Sequence, residues 1–347
     1  MGSLERFDVV WARSSWGGEP TTYHREVCVN RRAVRSVLVP FLAGVILAPP
    51  TAGQDMQGSV LQALAFRNLG PFRTGAWITS FAVPEAPLRE HIRTFYVGTR
   101  NGGVWKTVNN GTTFEPIFDG VGPQSIGAVA LAPSDPQVVW VGTGESYLAR
   151  YTYAGDGIYR SDDGGETWRH MGLADTHHIS MIVVHPTNPD VVWVAAMGHL
   201  HGPNAERGVY RTDDGGSTWH TSLFVDETIG VIDLVLAPGD PETLYAATYE
   251  KERLPWNYEV GGPGSGIYKT SDGGATWTRL SGGLPEGRIG RIGLDVFRGD
   301  TDILYAVVEN ANPLPEDRPG GMRVSGGRGE VYRSDDAGGT WRMTHEA

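Results

Sequence analysis

Short apolar runs separated by turn residues recur along most of this chain, always in the same order. "IGAVALAPSDPQVVWVGT", "ISMIVVHPTNPDVVWVAA" and "VIDLVLAPGDPETLYAAT" each set an Asp-Pro or Asn-Pro turn between two β-branched stretches, and "IGLDVFRGDTDILYAVV" does so without the proline. Such runs predict pairs of short strands, because β-branched side chains suit a pleated surface and Pro, Asp and Asn suit the turn. Each pair is followed by a second, marked by a repeated phrase: "GIYRSDDGGETWRHMGL", "GVYRTDDGGSTWHTSL", "GIYKTSDGGATWTRL" and "EVYRSDDAGGTWRM".

In register, the phrases read Ser/Thr-x-Asp-x-Gly-x-Thr-Trp and end at Trp168, Trp219, Trp277 and Trp341, with a weaker copy, "TVNNGTTF", ending at Phe114. The intervals are 54, 51, 58 and 64 residues, a period at which one repeat is one supersecondary unit. An aromatic stands nine residues before each end: Trp105, Tyr159, Tyr210, Tyr268 and Tyr332. Each unit therefore predicts four strands, A to D in chain order. A lone sheet that is apolar on both faces cannot hide them from water, so neighbouring sheets must stack, and radial stacking gives a β-propeller. The expected fold is all-β, with at least five four-stranded antiparallel blades at about 75–120, 124–174, 178–225, 229–282 and 288–347, in a complete or incomplete ring.

The repeated phrase is expected to fasten the blades. Asp163, Asp214, Asp272 and Asp336 fall in the turn from strand C to strand D, where a carboxylate accepts bonds from the turn's own amides. Glycines supply backbone angles that other residues resist, and Trp168, Trp219, Trp277 and Trp341 are expected to pack between sheets.

These phrases resemble the Asp-box, or bacterial neuraminidase repeat, and the run from "FRNLGPFRTG" at residue 66 to the end is similar to the sortilin-type propeller of large secreted bacterial proteins. Sialidases, xyloglucanases, sortilin-type receptors and photosystem II assembly factors look alike at the box, so the resemblance implies the fold more than an activity. Xyloglucanases that look similar carry an Asp in the first blade where "YVGTRNGG" has Arg100, and only Arg73 of "PFRTGAW" answers the Arg-Ile-Pro segment of sialidases. The sortilin-like group is usually longer, and this chain stops six residues after its last box, so it is expected to be a fragment, with further blades or domains of a longer parent chain among its partners.

From the strand B aromatic to the strand C aromatic the separations are 9, 19, 17, 23 and 27 residues. The C to D turn is constant while the B to C connection varies. In an up-and-down blade the B to C and D to A loops share one face, and function is expected there. Tyr147, Arg150, His199 and Trp256 are the expected contacts for a glycan or peptide ligand, since aromatic rings stack on sugars while polar groups fix orientation. The alternative is a glycoside hydrolase of the sialidase or xyloglucanase type, with Glu145, Asp156, Glu206 and Glu250 as candidate carboxyl groups, although no spacing selects a pair. His177, His178, His199 and His201 are the candidates for a metal site, against the plainer reading of loop histidines bonded to backbone. No cofactor is expected.

Composition narrows the partners. Formal net charge is -11, which disfavours nucleic acid and anionic membranes. Basic "NRRAVR", apolar "SVLVPFLAGVILA" and "PPTAGQ" follow the order of a secretory signal peptide, with cleavage expected before Gln54. Residues 1–53 thus form an extension and signal, 54–65 a linker and 66–347 the propeller. The mature chain is expected to be secreted or periplasmic and not inserted in a membrane. The single cysteine, Cys28, lies before the cut, so no disulfide framework or thiolate site is expected after it.

Overall fold

Alternating burial along short strands, broken by glycine turns, organises the protein. The computed structural model describes residues 5–11, 23–29, 77–85, 91–147, 152–254, 256, 258–313 and 328–346. Contacts divide the chain into Met1–Asn68 and Leu69–Ala347. In the first unit, β1 (Glu5–Trp11) pairs antiparallel with β2 (Tyr23–Val29). The apolar signal segment and the linker at 54–65 lie outside the described residues.

The second unit is a succession of four-stranded antiparallel sheets, each in chain order. The first holds β3 (Ile78–Ala82), β4 (Phe95–Thr99), β5 (Val104–Thr107) and β6 (Glu115–Pro116). The second holds β7 (Ile126–Ala132), β8 (Asp135–Thr143), β9 (Ile158–Ser161) and β10 (Arg169–His170). A 3-10 turn, Ala174–Thr176, leads to the third: β11 (Ile179–Val184), β12 (Val192–Ala196), β13 (Gly208–Thr212) and β14 (His220–Leu223). The fourth has β15 (Ile229–Leu236), β16 (Leu244–Arg253), β18 (Gly266–Thr270) and β19 (Thr278–Leu280), with β17 (Tyr258–Val260) paired to the far end of β16. The fifth has β20 (Ile289–Val296), β21 (Leu304–Asn310), β22 (Arg328–Ser334) and β23 (Arg342–Glu346). Part of what reads in sequence as a long fourth B to C loop is thus a hairpin, Lys251 to Arg253 against Tyr258 to Val260.

Four apolar clusters fill the junctions between consecutive sheets. Tyr96 and Val104 meet Val139 and Val141; Trp140 and Ile158 meet Ile182 and Val194; Trp193 and Val209 meet Leu234 and Ala246; Tyr245 and Ile267 meet Leu294 and Ala306. The A strands approach closely at the inner edge. A Cβ at Gly127 would lie 1.8 Å from the Ile179 carbonyl oxygen, so only glycine lets the second and third sheets meet there.

Each box turn is a closed hydrogen-bond ring. Asp163 Oδ1 accepts the amides of Glu166 and Thr167 at 3.0 and 2.8 Å and the Ser161 hydroxyl at 2.7 Å, while Oδ2 takes the Thr167 hydroxyl. Asp214, Asp272 and Asp336 repeat the arrangement with Thr218, Thr276 and Thr340. Donors aimed at the charged form favour it: the Thr167 hydroxyl, opposed by slight burial and joined by neighbouring amides, holds Asp163 down at about 2. Thr218 does the same for Asp214 and Thr276 for Asp272, each also at about 2, and Thr340 lowers Asp336.

The box also joins one sheet to the next, on both sides. Backward, the indole N–H of Trp168 donates to the Ile117 carbonyl at 2.8 Å, that of Trp219 to the Met171 carbonyl at 2.7 Å and that of Trp277 to the Ser222 hydroxyl at 3.0 Å. Trp341 differs: its indole bonds its own turn at Gly338, and its amide reaches the Gly282 carbonyl. Forward, the first four sheets each hold a cation over a strand B aromatic, and the cation, joined in three of them by the aromatic's own N–H or O–H, grips the carbonyl that follows the next box's Asp. Tyr96 and Lys106 donate to Gly164, Arg160 beside Trp140 to Gly215, Trp193 and Arg211 to Gly273, and Tyr245 and Lys269 to Ala337. The gripped residues share φ between 54° and 70°, which turns their carbonyls outward.

The tryptophans wholly enclosed between sheets are Trp140 and Trp193 of strand B, at 0 and 1% exposure. Among the box tryptophans Trp341 is buried, whereas Trp168, Trp219 and Trp277 are half-buried, with the ring edge against the preceding sheet.

Candidate functional site

Strand B ends and strand A begins on the face opposite the box turns, and residues at those ends converge on the axis. Arg100 follows β4, Glu145 follows β8, His178 precedes β11, Lys251 lies near the end of β16 and Arg291 near the start of β20. Each sheet therefore contributes one charged or polar group to a common hub.

Glu145 is fully enclosed, and Arg100 Nη2 stands 3.2 Å from its Oε1. The approach satisfies charge without hydrogen-bond direction, since Oε1, Nη2 and Arg100 Nε make no hydrogen bond among the described residues. The other oxygen, Oε2, accepts the Tyr147 amide at 2.9 Å, and the Glu145 carbonyl meets His178 Nδ1 at 3.0 Å, which requires the proton on that nitrogen. Burial pushes His178 down to about 3, so it is a neutral strut at physiological pH.

Tyr147 crosses the hub. Its carbonyl accepts Arg291 Nη2 at 3.0 Å and Lys251 Nζ at 3.4 Å, and the Arg291 guanidinium lies 5.2 Å from its ring. Its ring stands edge-on to Trp77 at 5.8 Å. The Arg100 guanidinium sits 4.8 Å from the Trp77 ring, and the Arg100 amide donates to the Trp77 carbonyl at 2.8 Å. Two cations thus brace two aromatics whose outer surfaces remain open, Trp77 at 58% and Tyr147 at 43%. Lys251 is almost wholly buried. Burial, and then the Arg291 charge, push it down to about 7 against the pull of Glu145. Beside it a cleft of about 390 Å³, lined by Thr228, Glu250, Lys251, Glu252, Gly261 and Arg288, opens between the fourth and fifth sheets.

The other sequence candidates fall in different places. Asp156 is tied internally, accepting the Tyr159 hydroxyl at 2.9 Å and the Thr143 hydroxyl at 3.3 Å; burial and then this carboxylate push the Tyr159 phenol up. Glu250 accepts the Gly264 amide at 2.7 Å. Glu206 is half-buried on the third B to C loop. Trp256 stands 82% exposed and is not among the residues that meet at the hub. Arg150 lies outside the described residues.

The four histidines divide between roles. His177 and His199 stack at 3.9 Å, His199 Nε2 lies 2.8 Å from the Asp175 carbonyl, and His201 Nδ1 lies 3.1 Å from the Arg253 carbonyl. Burial, and then the His199 charge, lower His177. Three of the four thus bond backbone, and no group of three His, Cys, Asp or Glu poised for a metal occurs among the described residues. Arg207 braces their loop: it is 2% exposed, donates to the His199 and Thr228 carbonyls, and is pushed down by burial to about 10.

Trp77, Arg291 and the axial place of Lys251 escaped sequence reasoning. Trp77 precedes the first recognisable strand, and Arg291 interrupts an apolar run as any edge charge would. Glu145, Tyr147 and His178, all named from the sequence, do meet at the hub, as does Arg100, where the chain departs from the xyloglucanase pattern.

Comparison with known proteins agrees with this architecture. Residues 156–286 match the family model described as "Sortilin, neurotensin receptor 3". Solved structures that align include a GH74 xyloglucanase from Xanthomonas campestris, at TM-score 0.54, 18% identity, 77% of this chain and 38% of that one, and an ancestral GH74 enzyme, at 0.57, 20%, 81% and 33%. The chain is an Asp-box β-propeller. Among curated relatives, this propeller is similar to a probable oligoxyloglucan-reducing end-specific xyloglucanase of Neosartorya fischeri, 28% identical over 52% of this chain and 22% of that protein. It is also similar to a xyloglucanase of a Paenibacillus species, 25% identical over 71% of this chain and 24% of that protein. The propeller therefore spans about a quarter of the length of these relatives. No helix among the described residues is long and apolar enough to cross a membrane.

Proposed function

We propose that this propeller is an exported recognition module that binds a glycan chain across the hub, with Trp77 and Tyr147 as the stacking platform. The observation that carries the reading is the braced aromatic pair. Two rings braced by Arg100 and Arg291 remain 58 and 43% exposed, and rigid exposed aromatics with few polar partners suit sugar faces. The cleft beside Lys251 gives the chain a path outward between the fourth and fifth sheets. The relatives' named activity on xyloglucan makes a β-glucan of that class the first ligand to test, and the signal-like N-terminus supports export.

The same relatives favour a second reading, glycoside hydrolysis. Against it, both oxygens of Glu145 face protein partners, Asp156 is bound to Tyr159 and Thr143, and Glu250 to a backbone amide. Calorimetry and affinity electrophoresis against xyloglucan, other β-glucans and peptides, beside an assay for released reducing ends, separate the two. The module predicts binding without turnover, weakened about tenfold or more by Trp77→Ala, since a lost aromatic contact and its buried area amount to at least about 1.4 kcal/mol. Turnover abolished by Glu206→Gln would replace it with the hydrolase.

A further inference from the structure

Four of the five sheets carry a clamp closed on the next sheet's box turn, and the fifth carries the same clamp with no box turn of the described residues in it. Tyr305 and Arg333 occupy the places that Tyr245 and Lys269 hold in the fourth sheet. The guanidinium lies 5.5 Å from the Tyr305 ring, as Lys269 lies 5.4 Å from Tyr245. Arg333 Nη1 donates to the Tyr305 hydroxyl at 2.9 Å, where its counterparts donate to a carbonyl of the following sheet.

The surrounding surface is built like a junction. On β21, Leu304, Ala306 and Val308 face the fourth sheet at no more than 1% exposure, while Tyr305 and Val307 on the other side are 39 and 55% exposed. Phe297, just past the end of β20, is 54% exposed. In the second and third sheets the strand B residues that correspond to Tyr305, Trp140 and Trp193, are covered by the next sheet. The acceptors of the box indoles, Ile117, Met171 and Ser222, each lie three residues beyond the preceding box; Thr344 on β23 holds that place here. The first sheet's own turn does not fill the clamp. Asn110, with φ 61°, matches the gripped residues in conformation and, like them, bonds its amide to its own sheet, but it is exposed, and Arg333 donates to Tyr305 and Asp335 rather than to its carbonyl. No apolar cluster among the described residues joins the fifth sheet to the first.

We infer that the outer face of the fifth sheet is the seat of a further Asp-box blade, whose turn carbonyl enters between Tyr305 and Arg333 and whose box tryptophan donates to the backbone at Thr344. A blade fits better than an extended peptide because all four closed clamps take the same turn, an outward carbonyl at positive φ. The inference is independent of what the hub binds.

The test duplicates residues 284–347 in frame after Ala347, so that the native connection and fifth sheet supply a sixth. Amide exchange in β22 and β23 should slow about tenfold or more on extension. Arg333→Ala should reverse that protection in the extended chain and leave the 347-residue chain as stable as before. A second extension made from residues 229–282 guards against a blade that fails for reasons of its own. Unchanged exchange in β22 and β23 with both extensions would overturn the inference. So would concentration-dependent self-association of the unextended chain through this face, removed by Val307→Glu, because the occupant would then be a second copy.

Discussion

Removing Arg100 is the sharpest perturbation of the hub. Glu145 is fully enclosed and its partner guanidinium, 11% exposed, is 3.2 Å away. At an effective dielectric constant of about 20, unit charges at that separation attract by roughly 5 kcal/mol, before the desolvation both groups have undergone. Arg100→Ala leaves the carboxylate with one hydrogen bond among the described residues, from the Tyr147 amide, and with Lys251, itself pushed toward its neutral form, as the neighbouring cation. Breaking a buried pair from one side typically costs about 3–5 kcal/mol, and the lost cation over Trp77 adds about 0.5–1 kcal/mol. Urea unfolding followed by tryptophan fluorescence reads the loss as a lower midpoint at unchanged slope. Arg100→Met with Glu145→Leu, which removes both charges and keeps volume, should recover most of it. A loss below about 1 kcal/mol for Arg100→Ala, or a double variant no more stable than the single one, would refute a buried, coupled pair.

Two predictions concern pH. The box aspartates have folded values near 2, below the usual 3.8, so their contribution is present above pH 3.8 and is lost as pH falls toward 2. Urea midpoints between pH 5 and 2 should drop, and Thr167, Thr218 and Thr276 all changed to Val should flatten that drop. Lys251 behaves in the opposite range: its folded value, about 7, lies below 10.5. The unfolded chain therefore holds the extra proton between those values, and stability from this group rises with pH across that window. Lys251→Met should raise the midpoint at pH 6 and remove the rise above pH 7.

The blades were legible in the sequence because their chemistry is local. Each box closes a hydrogen-bond ring within seven residues, Ser161 to Thr167 in the second sheet, and the aromatic nine residues before the box's end sits one strand away, so both survive as fixed spacings. The hub was not legible because its members come from five sheets and meet only through ring geometry: nothing near "LARY" announces that Tyr147 touches Trp77 and Arg291. The fourth blade's hairpin was hidden for another reason, since "TYEKER" is charged enough to read as a loop, although Tyr249 and Lys251 alternate inward. The forward clamps were missed because their carbonyl acceptors carry no side-chain signature.

The central claim is that the box turns hold sheets together while the opposite, hub face meets the ligand. One paired experiment tests it most directly: xyloglucan or β-glucan affinity and unfolding midpoint measured side by side for Asp214→Ala and Trp77→Ala. The account predicts a lowered midpoint with parental affinity for Asp214→Ala, and for Trp77→Ala an affinity reduced about tenfold or more with a midpoint lowered only by the roughly 1 kcal/mol of its lost cation and edge contacts. Lost affinity with an unchanged midpoint for Asp214→Ala would contradict it.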